Sequence, residues 1–218
     1  MKIFAKEQIY EGDKLTAERQ KISSTELMER AGTQIFNWLH TRMQGAQVPI
    51  HVFCGIGNNG GDGLVIARLL YKHGYNVNCY VVNFSDKRTK EFLTNYHRLK
   101  ELRKWPTVIH SENDFPEVAF EDIVVDAIFG NGLNKPIAKW FVNLFQHFKK
   151  SRAFTLSIDI PSGLYTFSAV GAVANDVRLE VYSRCSWEIG NVNFSGGTVL
   201  SEGTTVRCTN QSGTASKV

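Results

Sequence analysis

Short apolar runs alternate with longer segments of helical periodicity over the first 165 residues, and this alternation constrains the fold more than any other feature. The apolar runs cover residues 48–55, 75–84, 107–109, 122–130 and 153–161. Strands that are buried on both faces of a parallel sheet have this near-continuous apolar character. Strands that alternate with helices form right-handed βαβ units. The sequence therefore predicts an α/β protein, a three-layer α/β/α sandwich with a doubly wound, mostly parallel, Rossmann-like sheet.

Helix signals fill the segments between these runs. Ser23 and Glu26 have the spacing of a capping box at the start of a helix. Apolar residues at helical spacing predict two further helices over residues 64–74 and 86–105, and a last helix starts at Pro136, near its first-turn position. The inner stripe of the 86–105 helix is expected to consist of large side chains: Phe92, Leu93, Tyr96, Leu99 and Leu102.

Composition excludes several classes of protein. The chain holds 218 residues with 25 Lys+Arg and 21 Asp+Glu, a formal net charge of +4 that is spread along the sequence. We therefore expect no nucleic-acid partner, which would require a clustered basic face. No apolar run approaches the ~20 residues of a membrane span, and the charged N-terminus is unlike a signal peptide. The four cysteines form no CxxC pair, and the histidines lack zinc-ligand spacing, so we expect reduced thiols and a cytoplasmic protein.

The last quarter of the chain has a different character. Gly, Ser and Thr make up roughly a third of it, far above ordinary loop background, and no helical period is visible. Short strands are suggested only within 177–183 and 204–208. We expect a single domain over residues 1–218, with a coherent part over 1–165 and an atypical tail over 166–218 that packs poorly.

The first candidate site follows the first apolar run. Gly55, Gly57 and Gly60 have the spacing GxGxxG between a predicted strand and a predicted helix. Such glycines let a phosphate approach the backbone, and the helix N-terminus offers free N–H donors. The second strand ends without the acidic residue that binds a ribose hydroxyl in NAD-dependent dehydrogenases, because Asp86 comes slightly too late. A dehydrogenase is therefore disfavoured.

The interior of this glycine-rich segment is unusually polar, since residues 58–62 read Asn-Asn-Gly-Gly-Asp. Two interpretations remain open. Asn59 or Asp62 caps the following helix. Alternatively, their oxygen atoms join the backbone donors to bind a polar ligand together with a hard cation.

Two further candidate sites follow later strands. Asp126 interrupts an apolar run, and a buried carboxylate must be hydrogen-bonded, paired or bound to a cation. Hydrogen bonding to the loop backbone is the structural alternative. The glycine-rich segment 130–136 can hold a second anionic group, with charge from Lys135. Asp159 stands at the end of the fifth run. Because ligands bind outside the carboxyl ends of parallel strands, the three loops predict one shared site.

Three segments together, GIGNNGGDGLVIARLL, VVDAIFGNGLNKPI and SIDIPSGL, resemble the YjeF N-terminal domain family. Its best-known members are NAD(P)H-hydrate epimerases, isomerases that interconvert the R and S epimers of NADH and NADPH hydrated at C6 of the nicotinamide ring. The resemblance implies that this chain takes part in nicotinamide nucleotide repair. It implies substrate contacts from Asn58, Asn59, Gly60, Gly61, Asp62, Gly130, Asn131, Gly132, Leu133, Asn134, Lys135, Pro136 and Asp159.

The resemblance also implies a bound potassium ion, with oxygen ligands from Asn59, Asp126 and Ser162. The family usually has Arg at the position of Lys135, a change that keeps the charge but loses a bidentate fork. It further implies hydrated NADH or NADPH as the substrate and a homodimer. A dehydratase would act as a partner, or as a fused half outside this chain.

Inversion at C6 requires proton transfer to and from oxygen and no redox step. Asp159 is therefore the candidate catalytic acid/base. The alternative to an epimerase is a non-catalytic binding or dimerisation module on the same fold. Such a module would tolerate loss of the site carboxylates, whereas this chain keeps Asp62, Asp126 and Asp159. Catalysis is the favoured interpretation.

Overall fold

The computed structural model describes residues 6–133 and 137–162, and within the tail residues 178–179, 206–208 and 215–217. Tyr10–Leu164 form one compact unit, and Met1–Ile9 form another together with Tyr165–Val218. The described residues form five α-helices: α1 (Lys6–Gln20), α2 (Ser24–Met43), α3 (Asn58–Lys72), α4 (Lys90–Glu101) and α5 (Lys139–Ser151). The strands of the larger unit are β1 (Ile50–Cys54), β2 (Val77–Val82), β3 (Thr107–Ile109), β4 (Ile123–Ala127) and β5 (Phe154–Ser157).

All five strands of the larger unit form one parallel sheet in the order β3-β2-β1-β4-β5. From β1 the chain winds outward through β2 to β3, and then returns to place β4 on the other side of β1. This reversal creates a switch point between β1 and β4, where Cys54 pairs with Ala127 at the carboxyl ends. The predicted doubly wound parallel sheet is confirmed.

Helices cover both faces of this sheet. Alternate strand residues such as Val52 point into a buried cluster with α2, α3 and α4, and their neighbours such as Phe53 point into a second cluster with α5. Both side chains are fully buried. The period of two along a strand therefore supplies one side chain to each layer, as in a three-layer α/β/α sandwich.

Three short antiparallel strands lie in the tail. They are β6 (Arg178–Leu179), β7 (Val206–Cys208) and β8 (Ala215–Lys217), with β7 in the centre. β6 lies within the predicted segment 177–183 and β7 within 204–208, so both predicted strands are confirmed over these residues. The expectation that the tail packs poorly concerns side chains that lie outside the described residues. The single-domain organisation over residues 1–218 stays a prediction.

Several helix boundaries differ from the predictions. Helix α3 begins at Asn58, within the segment expected to be a loop, and α5 begins at Lys139 rather than at Pro136, which lies outside the described residues. The capping box of Ser23 at the start of α2 is confirmed. Helix α1 has no counterpart among the predicted helices, because its residues are mostly polar and show little apolar periodicity.

The inner stripe predicted for the 86–105 helix, which is α4 in the structure, is partly wrong. Phe92 and Leu99 are buried, but Leu93 is 40% exposed. Asn95 occupies the inner position instead, fully buried, and donates a hydrogen bond to the carbonyl oxygen of Glu91. A helical period of 3.6 starting from Phe92 reaches residues 95, 96 and 99 and leaves residue 93 on the flank.

Candidate functional site

The site lies at the switch point, where the carboxyl ends of β1 and β4 are joined. The Gly55 N–H donates to the Ala127 carbonyl oxygen at 2.9 Å. Gly57 is the N-cap of α3 and provides no side-chain cap. The interpretation that Asn59 or Asp62 caps this helix is therefore wrong, because both residues lie inside its first turns. Their side chains are left for contacts outside the helix.

The third glycine of the GxGxxG motif permits this arrangement. A Cβ atom built on Gly60 would lie 1.9 Å from the carbonyl oxygen of Gly55, a distance that no side chain tolerates. Only glycine lets the first turn of α3 pack directly on the turn that follows β1. The first N–H groups of the helix and its positive dipole end consequently face the switch point.

Asn59 connects α3 to the loop after β4. Its Nδ2 donates to the carbonyl oxygen of Phe129 at 2.9 Å. Its Oδ1 atom is buried and has no hydrogen-bond partner in the described part of the chain. A buried amide oxygen without a partner is costly, so this atom is a candidate ligand for a cation or for a substrate donor.

Asp126 is held by four hydrogen bonds at the end of β4. Oδ1 accepts from the Ile128 N–H at 3.2 Å and from the Ser162 hydroxyl at 2.6 Å. Oδ2 accepts from the Ser157 hydroxyl at 3.2 Å and from the Ser162 N–H at 2.7 Å. Burial raises the pKa of this carboxyl, and the bonds from Ser162, Ile128 and Ser157 oppose that rise. The Asp126 carboxylate is thus fully hydrogen-bonded by backbone N–H groups after β4 and β5 and by two serine hydroxyls, as the structural alternative predicted.

Ser162 also connects this carboxylate to Phe129. Its Oγ accepts from the Phe129 N–H at 2.9 Å and lies 3.3 Å from the Phe129 carbonyl oxygen. Asn59 donates to that same carbonyl, so Asn59 and Ser162 meet at the backbone of Phe129, and Asp126 joins them through Ser162. The sequence does not predict this arrangement, because the Phe129 atoms that connect these residues belong to the backbone.

Asp159 lies against the second glycine-rich loop. Its Oδ2 accepts from the Asn131 N–H at 2.8 Å. A Cβ atom on Gly130 would stand 2.6 Å from the same oxygen and 3.4 Å from Cβ of Asn59. The absence of a side chain at Gly130 therefore lets Asp159 and Asn59 approach one another across the loop.

Asp62 is a half-buried carboxyl with a strongly shifted pKa. Burial, the negative charge of Asp159 and that of Asp13 together raise the pKa of Asp62 from 3.8 to about 7. Burial and Asp159 also raise the pKa of Asp13. Carboxyl groups that repel one another in this way hold protons near neutral pH and are typical of acid/base sites.

Helix α1 supplies two site residues that sequence reasoning missed. One is Asp13, whose carboxyl group interacts electrostatically with those of Asp62 and Asp159. Tyr10, one turn earlier, donates from its hydroxyl to Oδ1 of Asn131 at 3.4 Å, and this hydroxyl lies 3.4 Å from a Cβ built on Gly132. No apolar pattern in α1 could have pointed to these contacts. Their i, i+3 spacing becomes informative only once the helix is known.

The remaining predicted residues divide into three groups. Gly61 is buried in α3, where a Cβ atom would lie 2.6 Å from Sδ of Met28. Asn58 and Gly132 are exposed at the rim of the site, and the Leu133 N–H closes a turn on the Gly130 carbonyl oxygen at 3.2 Å. The other three lie outside the described residues, and their contacts stay predictions: Asn134, Lys135 and Pro136.

Within the described side chains, no three His, Cys, Asp or Glu residues are close enough to form a metal cluster of their own. None of the described helices is long and apolar enough to cross a membrane.

A glycine-rich helix N-terminus and a carboxyl group cluster at the switch point of a parallel sheet define a Rossmann-like ligand-binding protein. A family model described as YjeF-related protein N-terminus matches residues 24–182, so the match continues into the tail past residue 165. The chain belongs to this family, as the three motifs predicted.

Curated relatives and a solved structure agree with the family. The chain is 34% identical over 159 residues to an NAD(P)H-hydrate epimerase of Roseobacter litoralis, covering 66% of this chain and 70% of that protein. It is also 34% identical over 156 residues to a bifunctional NAD(P)H-hydrate repair enzyme Nnr of Thermofilum pendens, covering 70% of this chain but 30% of that protein. The crystal structure of yeast ynu0 superimposes with a TM-score of 0.62 at 27% identity, covering 75% of this chain and 72% of the yeast chain.

Proposed function

We propose that this chain is an NAD(P)H-hydrate epimerase, an isomerase that interconverts the R and S epimers of NADH and NADPH hydrated at C6. The carboxyl groups of Asp62 and Asp159, here called the carboxyl pair, carry the proposal: Asp159 accepts from the Asn131 N–H of the second glycine-rich loop, and its charge raises the pKa of Asp62. Inversion at C6 needs a proton donor and a proton acceptor beside one carbon. Two interacting carboxyl groups, one of which has a pKa of about 7, supply both near neutral pH.

We assign Asp159 as the catalytic acid/base and Asp62, whose pKa the charge of Asp159 raises, as a second proton-exchanging carboxyl group. A protonated carboxyl donates to the C6 hydroxyl as the C6–O bond breaks, and a water molecule leaves. The electron pair of the ring nitrogen stabilises the cationic carbon that remains. A carboxylate then accepts a proton from a water molecule whose oxygen adds to the opposite face of the ring. The hydroxyl is restored with inverted configuration, and no electrons are exchanged with a second reactant.

The glycine-rich segments hold the rest of the substrate. The first turn of α3, from Asn58 to Asp62, presents N–H groups to a phosphate, as helix N-termini do. The turn from Gly130 to Leu133 faces it across Asn59. Asn134, Lys135 and Pro136 extend this second segment, and Lys135 adds positive charge.

A potassium ion fits the donor set of Asn59, Asp126 and Ser162. The buried Oδ1 of Asn59 lacks a partner, and amide, carboxylate and hydroxyl oxygens are the ligands that hard cations prefer. When bound, the ion would supply fixed positive charge beside the carboxyl pair. We expect a higher melting temperature in potassium than in lithium chloride for the native chain and for Asn58→Ala, and no such difference for Asn59→Ala. Equal melting temperatures in both salts for the native chain would contradict the potassium site.

The proposal extends to the cellular setting. Some relatives are fused bifunctional repair enzymes and others stand alone, so we infer that a dehydratase consumes one epimer after this chain has formed it. Cys54 and Cys79 are buried free thiols, which suits a reducing cytoplasm. A homodimer stays a prediction of the family resemblance.

A coupled assay tests the proposal. An epimer mixture of hydrated NADPH is incubated with a dehydratase specific for one epimer, and recovery of NADPH absorbance is followed. We expect the chain to hasten consumption of the slow epimer. Asp159→Asn should reduce this rate by about 10²–10⁴-fold, since a positioned acid/base contributes that much. Glu101→Gln, an exposed acidic position on α4, is the matched control. No acceleration by the native chain would overturn the epimerase proposal.

A further inference from the structure

A polar, basic cluster lies at the carboxyl ends of β2 and β3, outside the carboxyl pair that the proposed reaction uses. It consists of Asn83, Arg88 and His110. Arg88 donates from Nη2 to Oδ1 of Asn83 at 2.7 Å and from Nη1 to the carbonyl oxygen of Asp86 at 3.1 Å. Asn83 Nδ2 and His110 Nδ1 lie 3.4 Å apart. The exposed guanidinium is thus held in place by two acceptors, while its remaining N–H groups make no hydrogen bond within the described part of the chain.

Residues next to this cluster contact the turn before α3 and the segment directly after β4. Thr89, next to Arg88, donates from its N–H to the carbonyl oxygen of Ile56 at 3.4 Å, in the turn between β1 and α3. The ring of Phe84 lies 5.2 Å from the ring of Phe129, in the segment after β4. A ligand that spans the switch point along the carboxyl edge therefore reaches the end of β2.

The end of the second strand has a defined task in dinucleotide-binding sheets. An acidic residue there accepts from the adenosine ribose 2′-hydroxyl, whereas an arginine there accommodates a 2′-phosphate. Here β2 ends at Val82 and is followed by Asn83, with no acidic residue at that position.

The charge around Arg88 favours a phosphate. Arg88 bonds to the backbone of Asp86 and not to its carboxylate, and in the described part of the chain no carboxylate lies within 4.0 Å of the guanidinium. The exposed side chains of Lys87 and Lys90 add positive charge beside it. A planar guanidinium that is already oriented and not neutralised by an ion pair is suited to bind a phosphate dianion through two N–H groups.

We propose that the cluster of Asn83, Arg88 and His110 binds the 2′-phosphate of the adenosine ribose, so that hydrated NADPH is preferred to hydrated NADH. This inference rests on the proposed epimerase function, because it names which of its two substrates the site selects. Arg88 is the specificity-determining residue. Asn83 orients its guanidinium, and His110 lies on the far side of Asn83.

Calorimetric titration tests nucleotide binding by the cluster without requiring the epimerisation reaction. Adenosine 2′,5′-bisphosphate and adenosine 5′-monophosphate differ only in the 2′-phosphate. We expect the native chain to bind the bisphosphate at least tenfold more tightly. Arg88→Gln should remove this advantage and leave the affinity for the monophosphate unchanged. Arg103→Gln, an exposed arginine beyond the end of α4, should behave like the native chain. Equal affinities for the two nucleotides in the native chain would overturn the inference.

Kinetics separate this inference from the function on which it rests. The ratio of kcat/KM for hydrated NADPH over hydrated NADH should exceed ten in the native chain and approach one in Arg88→Gln. Asn83→Asp, which places a carboxylate at the end of β2, should turn the preference toward hydrated NADH. Equal rates on both substrates that Arg88→Gln leaves unchanged would refute the 2′-phosphate site alone. Absence of epimerisation with either substrate would refute the function, while the nucleotide titration still reports on the site.

Discussion

Ser162 binds Asp126 through both its hydroxyl and its backbone N–H, at 2.6 Å to Oδ1 and 2.7 Å to Oδ2. The same hydroxyl accepts from the Phe129 N–H at 2.9 Å. One residue from the loop after β5 therefore contributes two hydrogen bonds to a buried carboxylate on β4 and accepts one from a backbone donor beyond it. This explains how an aspartate can stand inside an apolar strand, since its carboxylate accepts four hydrogen bonds from the described part of the chain.

Ser162→Ala should lower the free energy of unfolding by about 1–3 kcal/mol, because the Asp126 carboxylate and the Phe129 N–H each lose a buried partner. Urea denaturation measures this change. Ser157→Ala is the graded comparison: Ser157 donates to Oδ2 at 3.2 Å, and that atom keeps the Ser162 N–H. We expect its cost to stay below about 1 kcal/mol. An equal loss in the two variants would contradict the central position of Ser162.

Gly130→Ala should impair activity more than stability. The new Cβ would lie 2.6 Å from Oδ2 of Asp159, which is the end of an exposed side chain and can move aside. Displacing a catalytic carboxylate by about 1 Å can cost about 10²-fold in rate. Gly132→Ala is the matched control, since its nearest atom is the Tyr10 hydroxyl oxygen at 3.4 Å. The coupled epimerase assay and thermal melting compare the two variants. Full activity in Gly130→Ala would show that Asp159 needs no such clearance.

The sequence was sufficient to place Asp126 and Asp159 at the site. Asp126 interrupts the run 122–130 and Asp159 stands near the end of the run 153–161, and the rule that parallel strands share one carboxyl edge brings such residues together. The parallel fold followed from the same alternation of runs. Ser162 needed the family resemblance, because a serine near a strand end is too common to be informative.

Other features depend on packing that a linear pattern does not contain. Helix α3 includes Gly60, Gly61 and Gly63 in its first turns, although glycine disfavours helices by about 1 kcal/mol per residue. Close contact with the sheet stabilises these turns, so local propensity misplaced the helix start. Asp13 was missed for a related reason: α1 is polar along most of its length, and the carboxyl groups it approaches are distant in sequence.

Glu29 joins the three helices on one face of the sheet and should be a point of high sensitivity. Its carboxylate pairs with Arg68 of α3, whose side chain is only 9% exposed, and with Arg98 of α4 at 3.2 Å. Glu29→Gln should lower the free energy of unfolding by about 3 kcal/mol, since it leaves the Arg68 charge buried without its partner. Arg98→Gln should cost less than about 1 kcal/mol, because Arg98 is 40% exposed. Chemical denaturation of both variants tests the difference, and a larger loss in Arg98→Gln would contradict it.

The raised pKa of Asp62 makes stability depend on pH in a specific direction. The folded chain holds the proton of Asp62 up to a pH of about 7, whereas an unperturbed aspartate releases it near 3.8. This contribution to stability is complete below the lower value and is lost as the pH rises through the higher one. The two values differ by the equivalent of about 4 kcal/mol, which partial exposure of Asp62 reduces to about 2 kcal/mol.

Asp62→Asn should therefore flatten the decline in unfolding free energy between pH 4 and pH 7 by about 2 kcal/mol, as measured by urea denaturation across that range. Asp13→Asn offers a second measurement, because it removes one of the charges that raise the pKa of Asp62. If protonated Asp62 is required for epimerisation, activity falls above a pH of about 7 in the native chain. In Asp13→Asn the same fall should begin at lower pH. An identical pH profile in that variant would contradict the electrostatic coupling between α1 and the carboxyl pair.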